Sequence, residues 1–441
     1  MLWTAEHRTT TVASVLVVTL IAFENMGVTT AMPAIVADVG GQRLFSWPFI
    51  AFLVASVVAT VVSGRFCDRR GPAVPMIAGP AFFLAGLVVA GTAPNMALLL
   101  TGRLLQGLGS GTVLVAVALL IALVYTDRER PMMYAANSAA WVLPAVIGPT
   151  VAGLVTEHLG WRWVFLGLAP LAVVGLVMLI PVARRLGHVP GARQRRAGIV
   201  AALAAAIGIA ALTWAAQHPS PAALGYGAAG LVMLGLAIRR LVPAGTVTAR
   251  PGLPTVVASR ALLGGAFAGM QAYLPLAMAT VHGYGPALAG LPLTGSAITW
   301  SMASAVQGRH PDWSRERLLR AGFGMVTVSV ALFGFVAQPW FPGWLAFVAC
   351  LIGGAGMGTA YPSISVLVLR FSPKHERGFN TSAMQLGDWV VGALTVGFGG
   401  VLLGLLASAG HPAPALGVLA LTLAVLTLLG VLITRRWPTR G

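Results

Sequence analysis

The sequence predicts an all-α integral membrane protein of fourteen spanning helices, built as two six-helix halves with two further helices inserted centrally. Apolar runs of 18 or more residues recur along the whole chain, the signature of spanning helices. Of the 441 residues 57% are hydrophobic and only 9% charged, whereas soluble domains carry roughly 25% charged residues. So few charges cannot cover a water-facing surface, and another solvent must surround most of the chain. A segment of the fourth apolar run also returns in the twelfth, which makes the two halves related.

The first run, 11–37, is too long for a cleavable signal peptide and lacks a small-residue cleavage site, so it reads as the first span. Five more follow at 47–63, 73–91, 97–124, 132–157 and 162–182, each set off by a short polar segment. Two central spans lie at 197–217 and 222–241. The last six lie at 255–281, 286–307, 318–337, 342–369, 379–408 and 413–434. An even count places both termini on one side. Assigning alternate loops to the cytoplasm collects all but three of the 28 basic residues there. Arg43 and Arg162 fall outside and Arg103 falls within a span. Cytoplasmic loops are the ones enriched in Lys and Arg, so both termini are expected in the cytoplasm of a cell inner membrane. Cys67, placed in the loop after the second span, is expected to react with impermeant thiol reagents from the cytoplasmic side only.

The formal charge of +17 does not indicate nucleic-acid binding, because the basic residues form small clusters between apolar spans and no basic stripe with interleaved aromatics. Cys67 and Cys350 make no disulfide framework, and no Cys/His cluster has metal-ligand spacing. No cofactor is expected. The one lysine, Lys374, follows a proline and belongs to no phosphate-binding loop, which argues against an ATP-driven pump. An intramembrane enzyme needs a nucleophile–base pair or metal ligands within spans, and none is found. The non-span segments are too short for a soluble receptor domain.

Gly107, Gly109, Gly111 and Thr112 reappear 247 residues on as Gly354, Gly356, Gly358 and Thr359, and Leu120, Glu129 and Arg130 return as Leu367, Glu376 and Arg377. The chain therefore divides into residues 1–182, a central insertion at 183–254, and residues 255–441. Repeated halves with a midplane site are how secondary transporters are built.

The motifs sharpen this. The loop after the second span reads Gly64-Arg65-Phe66-Cys67-Asp68-Arg69-Arg70-Gly71, and the fourth span carries Arg103-Leu-Leu-Gln106-Gly107-Leu-Gly109-Ser-Gly111. The fifth span carries Gly148-Pro149-Thr-Val-Ala-Gly153, with Pro144 where the related motif has its first glycine. Glu24 precedes Ala31-Met32-Pro33, and Trp161-Arg162-Trp163-Val-Phe165 opens the sixth span. Together these resemble the major facilitator superfamily, and within it the fourteen-helix drug/proton antiporters. That resemblance implies the major facilitator fold and export of hydrophobic or amphipathic small molecules driven by protons. Export of one endogenous lipid or metabolite, or uptake by symport, is the alternative transport reading.

The residues support physical readings of their own. Gly64 and Gly71 suit a tight cytoplasmic turn, and Asp68 among Arg65, Arg69 and Arg70 suits an ion-pair latch at the inner face. Gly148-Pro149 is expected to kink the fifth span. Of eleven acidic residues only Glu24 and Asp388 lie well inside spans, and Arg103 is the one basic residue there. Each such charge costs about 2.5–3.5 kcal/mol on insertion scales, so each marks a pathway or a partner. Proton coupling is expected at Glu24, with Asp388 as a second proton site or the group that recognises a cationic substrate. Asn25, Gln271, Tyr273, Trp300 and Trp389 are the candidate substrate-lining residues. The expected partners are a small-molecule substrate, protons and membrane lipids, and the chain is expected to act as a monomer.

Overall fold

The structure, a computed structural model, describes residues 7–41, 44–126, 129–186, 197–218, 220–310, 312–373, 376–407 and 411–435. Its helices are α1 (Arg8–Val39), α2 (Trp47–Arg70), α3 (Ala73–Gly91), α4 (Met96–Val124), α5 (Arg130–His158), α6 (Arg162–Leu166), α7 (Ala169–Arg185), α8 (Ala197–Gln217), α9 (Pro221–Leu241), α10 (Leu253–Thr280), α11 (Pro286–Arg309), α12 (Arg315–Val336), α13 (Leu345–Phe371), α14 (Arg377–Leu406) and α15 (Ala413–Arg435). The pair α6 and α7, broken at Gly167 and Leu168, makes one span over Arg162–Arg185. Among the described residues, thirteen of the resulting helices are long and apolar enough to cross a membrane. The fourteenth, α11, has the length, but Thr294, Ser296, Thr299, Ser301 and Ser304 dilute its apolar character. Thr299 and Ser301 return their hydroxyls to carbonyls of their own helix, which removes part of the polar cost of a spanning position.

The chain forms two compact units, Met1–Ala206 and Ile207–Gly441. Each contains the same packing pattern. In the first, α1 packs on α5, and α4 packs on both α2 and α3; in the second, α10 packs on α14, and α13 on both α11 and α12. The last helix of each half also closes on equivalents, α7 on α3 and α1, α15 on α12 and α10. Six helices of one half thus correspond in order to six of the other, and α8 and α9 are the inserted pair.

The glycine repeat explains why α4 and α13 sit at the centre of these contacts. A Cβ at Gly107 or Gly111 would meet the backbone of α2 at Phe52 and Ser56, and one at Gly109 the backbone of α3 at Phe83. The counterparts Gly354 and Gly358 face Ser296 and Trp300 of α11, and Gly356 faces Gly322 of α12. Alternate glycines on one helix therefore seat two neighbours at backbone distance, the close approach that drives helix association in lipid.

Two expectations are corrected at the end of α2. This helix does not stop at residue 63 but runs through Arg70, and it ends where Gly71 takes a φ of 77° and donates its N–H to the Cys67 carbonyl at 2.9 Å. Gly64 is therefore helical, and only Gly71 makes the turn. The charges at 65–70 do not end the helix because charged side chains at a helix end are readily solvated while the backbone bonds continue. Cys67 is consequently a buried helical residue, 3% exposed, and not a loop residue. Cys67 and the fully buried Cys350 are expected to resist a membrane-impermeant maleimide in the folded protein and to react together once detergent unfolding begins. Stoichiometric labelling of native protein, read by mass, would contradict that packing.

Candidate functional site

Among the described residues each unit holds one carboxylate–arginine pair well inside its helices, between α1 and α4 in the first and between α10 and α14 in the second. In the first, Glu24 lies mid-way along α1 and is 0% exposed, and Arg103 of α4 is 1% exposed. Arg103 Nη1 forms a salt bridge to Glu24 Oε1. The same nitrogen donates to Gln106 Oε1 at 2.7 Å, and Nε donates to the Pro48 carbonyl at 3.1 Å. The guanidinium lies 4.6 Å from the centre of the Phe52 ring. Arginine is thus held from three sides, by a charge, by neutral oxygens and by an aromatic face. Two further polar atoms of the cluster, Glu24 Oε2 and Gln106 Nε2, are buried and make no hydrogen bond among the described residues.

The fifth-span motif packs on α1 beside Glu24 in the chain. Gly148 of α5 faces Phe23 and Met26, the residues on either side of the Glu24–Asn25 step, and Ala152 meets Gly27 one turn further on. Pro144 and Pro149 are both inside α5, which continues through them. Gly153 is buried on the same helix. The Trp-Arg-Trp segment has a different task. Trp161 Nε1 and Arg162 Nη1 both donate to Asp38 Oδ2, at 2.9 and 2.7 Å, and tie the end of α1 to the start of α6.

In the second unit Arg260 of α10 donates from Nε to Asp388 Oδ2 of α14 at 2.6 Å, and Tyr361 of α13 donates its hydroxyl to Oδ1 at 3.2 Å. The Arg260 side chain is 11% and that of Asp388 10% exposed. The guanidinium sits 3.4 Å above the Tyr361 ring, Trp300 meets Tyr361 edge-on at 5.1 Å, and Phe267 meets Trp300 at 5.9 Å. Four helices, α10, α11, α13 and α14, converge here. A Cβ on Gly264, one turn from Arg260, would strike both the Asp388 carboxylate and the Tyr361 hydroxyl. Gly264→Ala is therefore expected to displace the carboxylate, lowering stability by about 1–3 kcal/mol as over-packing does. Thermal unfolding of the purified variant measures it, and an unchanged midpoint would mean that the pair adjusts freely.

Arg260 corrects the expectation that Arg103 is the one basic residue within a span. Counting Arg260 with the loop charges concealed it, although it lies five residues into the span at 255–281 and shares a helical face with Gly264 and Phe267. Tyr361 was also missed, for a tyrosine in an apolar span has no signal of its own. Of the candidate lining residues, Trp300 joins the Asp388 cluster and Trp389 stands half-buried beside Asp388 in the chain. Asn25 is half-buried and donates to the Ile21 carbonyl at 3.0 Å, and Gln271 is half-buried on α10. Tyr273 is not a lining residue in this structure: it is 0% exposed, donates to the Val396 carbonyl at 2.5 Å, and fills the space left by Gly399.

At the other candidate site, Arg70 lies 5.7 Å from the centre of the Phe66 ring, and the side chains of Asp68 and Arg69 lie outside the described residues. The second unit has a counterpart that sequence reading passed over. Gly64-Arg65-x-x-Asp68 recurs 244 residues on as Gly308-Arg309-x-x-Asp312. Beside it the buried Gln307 donates to the carbonyls of Gly358 and Thr359 at 2.6 and 3.1 Å and accepts from Arg315 and Ser363, both at 3.0 Å.

Chemically, a carboxylate paired to one arginine in a dry interior is a two-state element. Protonation removes the charge to which the arginine is bound, and the pair loses its reason to stay closed.

Comparisons with known proteins agree with this architecture. The chain is 26% identical over 416 residues to the MFS-type transporter ppz2 of Metarhizium majus, covering 86% of this chain and 68% of that protein. It is 33% identical over 165 residues to the multidrug transporter protein MdtP of Bacillus subtilis, covering 37% of this chain and 30% of that one. Among solved structures, the POT family transporter PepTSo superposes with a TM-score of 0.71 at 14% identity, over 98% of this chain and 99% of that one, a likeness of fold. The family model of the Major Facilitator Superfamily matches residues 14–396, so the chain belongs to that superfamily of transporters.

Proposed function

We propose that this transporter is a proton-coupled exporter of hydrophobic or amphipathic small molecules, working by alternating access. One observation carries the reading: Glu24, fully buried and bound to Arg103 through one oxygen, keeps its second oxygen, Oε2, without a hydrogen bond among the described residues. That oxygen is where a proton binds without first displacing the arginine. The second pair, Asp388 with Arg260, stands among Tyr361, Trp300 and Phe267, an aromatic surround suited to a large apolar or cationic ligand. Relatives named as a multidrug transporter, in Bacillus subtilis, and as the efflux pump FUS6, in Gibberella moniliformis, support the substrate class and the outward direction. The charge distribution of the loops supports cytoplasmic termini in an inner membrane. Residues 1–182 and 255–441 act as the moving halves and 183–254 as the insertion; the protein works as a monomer and needs no cofactor.

The test is flux in proteoliposomes under an imposed pH gradient, over a panel of cationic, neutral and lipid-like compounds. Gradient-dependent accumulation of one or more compounds supports the reading, and flux indifferent to the gradient overturns it.

Asp68 acts as a latch at the end of α2, in contact in only one of the two access states, with Gly64, Arg69, Arg70 and Gly71 completing the motif. Asp68→Asn is expected to reduce flux several-fold while membrane insertion and the unfolding midpoint stay near wild type. Wild-type flux in that variant would leave the motif a solvated helix end.

A further inference from the structure

Glu24 shares its arginine with a neutral side chain. Arg103 Nη1 carries two hydrogens; Glu24 Oε1 accepts one and Gln106 Oε1 the other, the latter at 2.7 Å. The two acceptors stand on different helices. Glu24 belongs to α1, whereas Gln106 follows Arg103 by three residues on α4, one turn along the same face. Gln106 is 0% exposed, and α3 fixes its place independently of α1. Its stem fills the space left by Gly86 of α3, where a Cβ would come within 2.6 Å of Gln106 Cγ.

The amide is only half used. Its Nε2 is buried and makes no hydrogen bond among the described residues. A leucine would pack there without an orphaned donor, so what the glutamine adds is Oε1, and Oε1 is turned to Arg103. Little else that is charged reaches this place. The other helices packed on α1 present Gly148 and Ala152 of α5, Val164 of α6 and Gly175 of α7 to this stretch. Among the described residues Arg103 is the one ionisable group that faces the Glu24 carboxyl.

We propose that Gln106 is a positioning residue for proton exchange: it keeps Arg103 in place when Glu24 is protonated, and so helps set the pH at which Glu24 takes up its proton. The inference rests on Glu24 being the coupled acid. A proton from water on the accessible side forms the Oε2–H bond, and Arg103 keeps its own protons and its charge. Glu24 then holds the arginine only as a neutral acceptor. Gln106, carried on the same helix as Arg103, still accepts from Nη1, alongside the Pro48 carbonyl on Nε and the Phe52 ring. While Glu24 is charged, the negative end of the amide dipole lies beside the carboxylate, because both oxygens bond one nitrogen. Protonation ends that repulsion, so Gln106 favours the protonated acid more than an apolar residue would.

Infrared titration of the carboxylic C=O band of the purified full chain reads protonation without reference to transport. In each background the Glu24 part of the band is assigned by its loss when Glu24→Gln is added. Gln106→Leu is expected to move the Glu24 midpoint to lower pH. Gln106→Glu, which keeps the volume and adds a charge, is expected to move it to higher pH, each by roughly one pH unit. A glutamine that only packs gives no such pair of opposite shifts. An unchanged midpoint in both variants, or a shift of the same sign in both, overturns the proposal and leaves Glu24 as the coupled acid. A wild-type protein with no Glu24 band at any pH overturns that assignment as well. Should Gln106→Leu fail to fold, Gln106→Glu, close in shape to the native residue, decides alone.

Discussion

Replacing Glu24 by glutamine is expected to abolish accumulation driven by a pH gradient while leaving equilibrium ligand binding within a few-fold of wild type. The amide mimics the protonated acid: its oxygen still accepts from Arg103, and its volume fits the same buried site. What it lacks is a proton to release, so the variant binds substrate but cannot exchange a proton for it. Counterflow, which needs no net proton movement, is expected to survive. Full gradient-driven uptake by Glu24→Gln proteoliposomes would reduce Glu24 to a structural partner of Arg103. The neutralisation must be made on the acid and not on the base. Arg103→Leu strands the fully buried Glu24 carboxylate, and loss of one member of a buried pair costs about 3–5 kcal/mol. Its failure to transport would report on folding, not on coupling.

The second large effect is expected at Arg260. Arg260→Met removes the cation from a carboxylate whose side chain is 10% exposed, leaving Asp388 with the Tyr361 hydroxyl alone. The expected loss is about 3–5 kcal/mol. Asp388→Asn leaves the arginine a neutral oxygen to bind and an aromatic face at 3.4 Å, so its cost is expected to be the smaller of the two. The double variant Arg260→Met, Asp388→Asn is expected to recover most of the stability lost in Arg260→Met, because no uncompensated charge remains. Unfolding midpoints of the three variants in one detergent close this cycle. Additive losses would show that the two side chains do not act as a pair. If Asp388 recognises cationic substrates, Asp388→Asn weakens those compounds selectively; if it carries a proton, it weakens all coupled transport.

Much of the architecture was legible in the sequence, for a physical reason. A segment in lipid must satisfy its backbone within itself, so each span writes its own length in apolar residues without help from its neighbours. The spans at 73–91 and 222–241 each lie within a residue or two of α3 and α9 for that reason. The glycine triplets at 107–111 and 354–358 likewise announced two related halves, because close helix contact has few other solutions. Where solvent and lipid meet, this logic weakens. The charges after residue 64 read as a loop, yet a helix end in the interfacial region tolerates them, and α2 continues to Arg70.

The ion pairs belong to the tertiary structure. Glu24 and Asp388 stood out as isolated acids in apolar surroundings, since the cost of an intramembrane charge is a local quantity. Their partners are not local. Arg103 is 79 residues from Glu24, and Arg260 is 128 residues from Asp388. No helical period spans such separations, and only packing of α1 with α4 and of α10 with α14 brings the charges together. The same holds for the aromatic rings around Arg260, for the space at Gly264 that admits the carboxylate, and for Tyr273, whose ring the packing of α10 on α14 takes out of reach. Hydropathy determined by itself that this chain crosses the membrane and where; which buried charges face each other was decided by the fold, because that contact energy exists only once the helices have met.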